Sequence, residues 1–409
     1  MHNEVKSNNI YAYILFLVWP FLSFFIAFYE YRKTWAKNIV WLFVVFYAYT
    51  MVISNSQIDA NRYRNNFIEI SNSDIAFYDV INLYSDESKV DLLESFITYV
   101  ISSFTNNYKI LFATYGVIFG FFFSRNLWLL FERSRHKLTW ISILLLIIFA
   151  IVNPIWNING FRFWTAAQIF VYGALIYFLE GKKKGLLIAA TTVLVHFSFM
   201  LPIVILGFYV LFGNRMTIYF YFFIASLFIS ELNIESVRGN LGLLPIVIEN
   251  KVEGYTNEEY IESIDNSYKL ANWYVLMRTK ALKYSIYIVL IFLYWRRELF
   301  LKNHKKLFKL FGFVFLFFAI ANIISSIPSA RRFLVIAYAL STGLIFLSMQ
   351  YFDDKKINAV IKLTTPALLL YFVVTIRLGF DTFGITTILG NPIIAVFMED
   401  DMALINLIK

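Results

Sequence analysis

Asn157-Ile-Asn-Gly-Phe-Arg-Phe-Trp-Thr-Ala-Ala-Gln168 opens the stretch whose reading decides the fold. An apolar run follows, then Gly181-Lys-Lys-Lys-Gly185, then a second apolar run carrying His196 just ahead of Phe197-Ser-Phe-Met-Leu-Pro202. Arg162 falls in the first turn of one apolar segment and His196 inside the next. A guanidinium and an imidazole are costly in lipid-spanning sequence, so each marks a functional site by default.

The rest of the chain has the same character. Its 409 residues are 59% hydrophobic, 20% aromatic and only 15% charged, where a soluble chain carries roughly a quarter of charged residues. Mean hydropathy is +0.64. This is the composition of an all-α polytopic membrane protein. The first apolar run is too long for a secretory signal peptide and lacks a small-residue cleavage site, so none is expected. With no cysteine, disulfides and thiolate metal sites are excluded. The net charge of +9 does not point to nucleic acid. Its Lys and Arg residues gather in short loops between apolar runs, as membrane orientation requires.

Those loops set the topology. Residues 11–29 form the first span, and Arg32, Lys33 and Lys37 put the loop after it in the cytoplasm. Residues 39–53 return outward to a first long external loop, 55–107, where acids outnumber bases. Within it, residues 91–104 carry apolar side chains at helical spacing. Spans at 110–131, 138–152 and 161–179 follow, with Arg133, Arg135, Lys137 and Lys182 to Lys184 on the inside. Residues 186–212 are long for one span and short for two. Both flanks are cytoplasmic, so the segment goes out and back as two short helices meeting around 196–202. Such a break is tolerated only where it lines a cavity or is buried in protein. Residues 216–230 lead to a second long external loop, 231–272. Spans at 273–295, 307–324, 328–351 and 357–376 bring the expectation to about 12 spans. Both termini are then external, and residues 1–409 form a single transmembrane domain. No internal repeat is seen, which weighs against many transporter folds.

On this topology Arg62, Arg162, Arg278, Arg331, Arg332 and Arg377 all lie at external helix ends, where few cations are expected. Taken singly, each reads as well as a side chain snorkelling to headgroups or pairing with a loop carboxylate. As a group they call for a polyanion, because guanidinium binds phosphate bidentately and stays charged. Arg162 and Arg331 also open helices, where backbone amides favour an anion. His196 is the one histidine inside an apolar run. Such a residue is often a hydrogen-bonded structural group; its ordinary pKa of ~6.5 also suits it to take a proton from a sugar hydroxyl. Asp59 and Glu94 are the rival bases, although Asp59 is placed to pair with Arg62 and Glu94 to cap its helix. No metal-ligand spacing and no glycine-rich phosphate loop occurs, and no cofactor is expected. Trp156, Phe161, Trp164, Trp273, Tyr63, Tyr78 and Tyr84 are suited to stack on sugars, but also to anchor the chain at the interface. Phosphate chemistry on a lipid-linked substrate accounts best for this set.

Several short motifs resemble one family. They are Asp59-x-x-Arg62-Tyr63, Glu94 opening its helix, Asn159-Gly-Phe-Arg162-Phe-Trp-Thr-Ala-Ala, His196-Phe-Ser, and Ser329-Ala-Arg331-Arg332-Phe333. Over about residues 10–350 the chain resembles the EpsG-type members of the oligosaccharide repeat-unit polymerases, the Wzy proteins of O-antigen and capsule assembly. The resemblance implies a metal-independent glycosyltransferase of GT-C type in the bacterial inner membrane, its active site facing the periplasm. The implied partners are undecaprenyl-diphosphate-linked oligosaccharide, membrane lipids and a chain-length regulator, with no nucleic acid. Carried onto this chain, it implies that Arg162 and Arg331 or Arg332 neutralise the leaving diphosphate. His196, or else Asp59 or Glu94, would deprotonate the acceptor. Arg62, Arg278, Tyr63 and Trp164 complete the expected substrate-binding set. A ligase-like transferase would share this chemistry. A flippase would instead spread its charges through the midplane, and an O-acyltransferase would need its histidine on the cytoplasmic side.

Overall fold

Apolar runs punctuated by Pro, Gly and basic turns fold here into helices joined by short connections. The computed structural model describes residues 10–54, 58–73, 91–228, 272–325, 327–398 and 401–408. In chain order the helices are α1 (Ile10–Val18), α2 (Pro20–Tyr29), α3 (Ala36–Thr50), α4 (Ile58–Ser71) and α5 (Leu92–Ser102). Next come α6 (Tyr108–Phe131), α7 (Trp140–Val152), α8 (Phe161–Leu175), α9 (Lys184–Ala190), α10 (Thr192–Val195), α11 (Met200–Phe212) and α12 (Met216–Ser226). The remainder are α13 (Trp273–Trp295), α14 (Glu298–Asn303), α15 (Lys305–Ile324), α16 (Leu334–Tyr351), α17 (Lys355–Gly379), α18 (Ile385–Leu389), α19 (Pro392–Phe397) and α20 (Ile405–Ile408).

Among the described residues, five helical segments are long and apolar enough to cross a membrane: Tyr108–Phe131, Trp140–Glu180, Lys305–Ile324, Ser329–Tyr351 and Lys355–Gly379. The second, 41 residues long, contains both α7 and α8, separated by Pro154 and the 3-10 turn Ile155–Gly160. Helix α13 has 23 residues but carries Arg278, Lys280 and Lys283. Other expected spans are shorter: α3, at 15 residues, rises ~22 Å against a core of ~30 Å. A multi-span helical protein is therefore what the structure shows, without fixing the expected count. The first expected span is two helices, because Pro20 forces Trp19 into extended backbone (φ −149°, ψ 86°). Residues 55–107, expected to be the first external loop, hold two helices, α4 and α5, where they are described; Tyr78 and Tyr84, and nearly all of 231–272, lie outside the described residues. Residues 186–212 do break into helices meeting at His196, whose backbone is extended (φ −152°, ψ 116°).

Close helix approaches rest on small residues, the usual device where lipid supplies no hydrophobic drive. Gly116 and Gly120 let α6 lie on Val44 and Ala48 of α3, and Gly173 of α8 meets Gly185 of α9 backbone to backbone. A buried amide chain then fixes how α8 begins. Asn126 Nδ2 donates to Gln168 Oε1 (2.8 Å), Gln168 Nε2 to the Asn153 carbonyl (3.0 Å), and Asn153 Nδ2 to the Trp164 carbonyl (2.9 Å). Each buried polar group in that chain would be costly alone. Together they pin the turn before Phe161 onto α8 and set the direction of Arg162. At the end of α3, Tyr47 Oη donates to Thr382 Oγ1 at 2.8 Å, and Trp19 Nε1 donates to the Ile388 carbonyl at 2.7 Å. The C-terminal segment thus folds back over α1–α3.

Candidate functional site

The site is built on the start of α8, the His196 break and the two helices, α4 and α5, between α3 and α6. Arg162 Nη1 donates to Asp91 Oδ2 at 3.0 Å, and Arg162 Nε to Tyr63 Oη at 3.2 Å. The other oxygen of Asp91 accepts the backbone N–H of Phe197 at 2.8 Å and lies 3.8 Å from His196 Nδ1. One carboxylate thereby joins α5, α8 and the α10–α11 break. Asp91 is buried and Arg162 largely so, their side chains 5% and 17% exposed. At that depth the pair stays bound only because further hydrogen bonds satisfy each partner.

Phe163 is the hub of the apolar side. Its ring meets His196 edge-on at 5.5 Å and packs against Phe199 and Phe333 at 5.2 and 5.4 Å. The Arg332 guanidinium lies 4.7 Å from the same ring, within cation–π range. Arg332 also donates to the Ser329 carbonyl and has no carboxylate partner among the described residues. Arg62 pairs with Asp59 at 2.9 Å and lies 5.5 Å from the Tyr63 ring. Asp59 Oδ2 and the Trp164 ring close around Gly160: a Cβ there would meet Trp164 at 3.0 Å and Asp59 at 3.5 Å. Glycine is needed at 160 for space, not for its backbone angles.

Glu94 sits beneath, 3% exposed, its Oε1 accepting from Thr98 Oγ1 at 3.1 Å and Tyr115 Oη at 3.3 Å. Helix α5, with 11 residues, is too short to span. Burial pushes the Glu94 carboxyl above the ordinary glutamate range, with Arg162 and the two hydroxyls pulling the other way. Tyr115 stacks on Phe161 at 4.0 Å, so Glu94 is reached through the core and not from the surface.

Of the residues expected to act together, the structure gathers Asp59, Arg62, Tyr63, Glu94, Arg162, Trp164, His196 and Arg332. Tyr63 is buried and its hydroxyl is engaged by Arg162, so it supports the site where a sugar-stacking face was expected. Arg331 and Arg332 diverge. Arg331 is exposed and shares a field with Lys283 and Tyr338. Arg278 lies 5.9 Å from the Tyr371 ring, on the α13–α17 side. These two belong to a separate cationic neighbourhood. Asp91 is the member that sequence reasoning left out. Asp91-Leu-Leu-Glu94 reads as a helix-capping box, yet Asp91 makes no side-chain cap bond and both acids are used elsewhere. Among the described residues no group of three His, Asp or Glu side chains is placed to hold a metal ion.

Fold and site together define an all-helical, multi-span membrane protein with a partly buried, guanidinium-rich centre. The family model of the EpsG family, a family of Wzy-type polymerases, matches residues 54–385, and the chain belongs to that family. The match encloses every residue of the centre. No curated protein and no solved structure matches the chain.

Proposed function

We propose that this protein polymerises undecaprenyl-diphosphate-linked oligosaccharide repeat units into O-antigen or exopolysaccharide at the periplasmic face of the inner membrane. It would act as a GT-C-type, metal-independent glycosyltransferase. The observation that carries this reading is Arg332, a guanidinium that packs on the same Phe163 ring as His196 and has no carboxylate partner among the described residues. Arg162 and Arg62 stand behind it, already neutralised by Asp91 and Asp59. An incoming diphosphate would meet one cation that no described carboxylate pairs, and two more through ion pairs it could exchange into. The acceptor hydroxyl attacks the anomeric carbon, the bond to the diphosphate oxygen breaks, and the charge that develops there is met by preorganised donors.

Deletion of the gene, scored by polysaccharide gel, tests the reading. The expected result is collapse of the ladder to a single repeat unit, restored by wild type and not by Arg162→Ala. Absence of any lipid-linked unit on the outer face would instead indicate a flippase, and an intact ladder left unattached to its final acceptor a ligase-like transferase.

A further inference from the structure

The end of α3, α4 and the start of α6 leave a cavity of about 120 Å³ against the C-terminal segment. Two cavities beside α7 hold only about 10 Å³ each, room for about one water. Packed interiors leave few voids larger than that, and the walls of the larger cavity are pinned. Thr50 and Thr387 share a hydroxyl hydrogen bond at 2.7 Å, and Val52 N–H donates to the Thr382 carbonyl at 3.0 Å. Lys109 Nζ donates to the Met398 carbonyl at 2.5 Å, and Asp401 accepts Thr386 N–H at 3.0 Å. The Asp401 carboxylate stands where a Cβ at Gly384 would be, so that glycine makes room for it.

The lining is polar and of mixed charge. Arg64, Lys109, Asp401 and Thr386 face the space together with Tyr49 and Tyr108. Arg64 Nη2 donates to Asn61 Oδ1 at 2.8 Å, and its guanidinium lies 5.9 Å from the Tyr108 ring. No carboxylate pairs with Arg64 among the described residues. A lipid tail here would leave charged groups without solvent, and a compact anion would meet the Asp401 carboxylate. A sugar suits both kinds of partner. Its hydroxyls donate to Asp401 and accept from Arg64 and Lys109, and its C–H face packs on a tyrosine ring.

The cavity adjoins the centre through α4. Arg64 follows Tyr63, whose hydroxyl Arg162 engages, and successive side chains on a helix point about 100° apart. Tyr108, Phe112, Tyr115 and Tyr63 form a continuous row of ring contacts from one to the other.

We infer that this cavity is a glycan subsite that holds a sugar residue of the growing chain away from the bond being formed. The inference rests on the polymerase reading above. A second contact makes each return of the chain end to the centre intramolecular. It therefore sets how many units are added before release and leaves the first coupling alone.

Two substitutions test this by opposite means. Arg64→Ala removes a donor, and Ala395→Phe fills the cavity from α19 without removing a polar group. The full chain in proteoliposomes is given lipid-linked repeat unit. Both variants should form the first dimer within about twofold of the wild-type rate, while mean chain length falls at least about threefold. Unchanged length in both would overturn the proposal, as would loss of the first coupling in both. A second readout needs no catalysis: binding of the delipidated repeat-unit oligosaccharide to the full chain in nanodiscs, followed by saturation-transfer NMR. Binding should weaken about tenfold in each variant. Equal binding by wild type and Ala395→Phe, or displacement of the sugar by inorganic diphosphate, would overturn the assignment. If instead the polymerase reading fails, wild type makes no polymer while this binding still decides the cavity.

Discussion

Asp91 and Arg162 form a 3.0 Å ion pair across α5 and α8, and the second oxygen of Asp91 holds the backbone of Phe197. Removing the charge while keeping the shape isolates what the pair contributes. Asp91→Asn keeps an acceptor for Phe197 and strands a buried guanidinium, which costs about 3 kcal/mol. We expect a lower unfolding midpoint in detergent. Combined with Arg162→Gln, the loss should be smaller than the sum of the single losses, because the two sites share one interaction. Additive losses would show that the pair is not coupled.

Arg332 and Arg331 are adjacent in sequence and separate in role. Arg332→Ala is expected to abolish the polysaccharide ladder, and Arg332→Lys to restore it only in part, since Lys loses both the planar contact with Phe163 and bidentate binding of phosphate. Arg331→Ala should leave most of the ladder. A reversed order of the two alanine variants on the same gel would move the anion site to the α13 side of the protein.

Glu94 gives the fold a pH dependence of known sign. Its carboxyl is pushed above the ordinary range of about 4.3 by burial. The folded state therefore holds that proton more tightly than the unfolded chain does. Its contribution is fully present below the ordinary value and is lost as pH rises through the raised one. Glu94→Gln removes the ionisation. The stability of wild type relative to Glu94→Gln should then fall as pH rises from about 4.3, read as the difference in thermal midpoints. A difference that grows in favour of wild type with rising pH would mean the carboxylate is stabilised where it lies.

The chain has no cysteine, so single cysteines report sidedness directly. Arg331→Cys and Lys182→Cys replace exposed residues. A membrane-impermeant thiol reagent added to intact spheroplasts should label the first at once and the second only after permeabilisation. The opposite pattern would invert the topology and place the centre in the cytoplasm.

Much of this arrangement was legible in the residues. Apolar runs between basic loops gave the helices. The matching basic flanks of 186–212 called for a break near His196, where the backbone is extended. Asn159-Gly-Phe-Arg162 marked the start of α8. What escaped were relationships between distant segments. Asp91 reaches Arg162 and Phe197 across 71 and 106 residues of chain, and its local pattern resembles an ordinary cap. Arg331 and Arg332 sit in the 3-10 turn Pro328–Phe333, where neighbouring side chains point about 120° apart, and the residues themselves offer no means of choosing between the two. The bend at Trp19 was signalled by Pro20 but read through as a single span. Hydropathy windows do not register one missing N–H.

The most direct measurement uses the purified chain in proteoliposomes, supplied with lipid-linked repeat unit and no other protein. Wild type should convert it to lipid-linked dimers and longer chains with release of undecaprenyl diphosphate, and Arg162→Ala and Arg332→Ala should not. Movement of the repeat unit across the bilayer at unchanged length, or equal polymer from the arginine variants, would contradict the account.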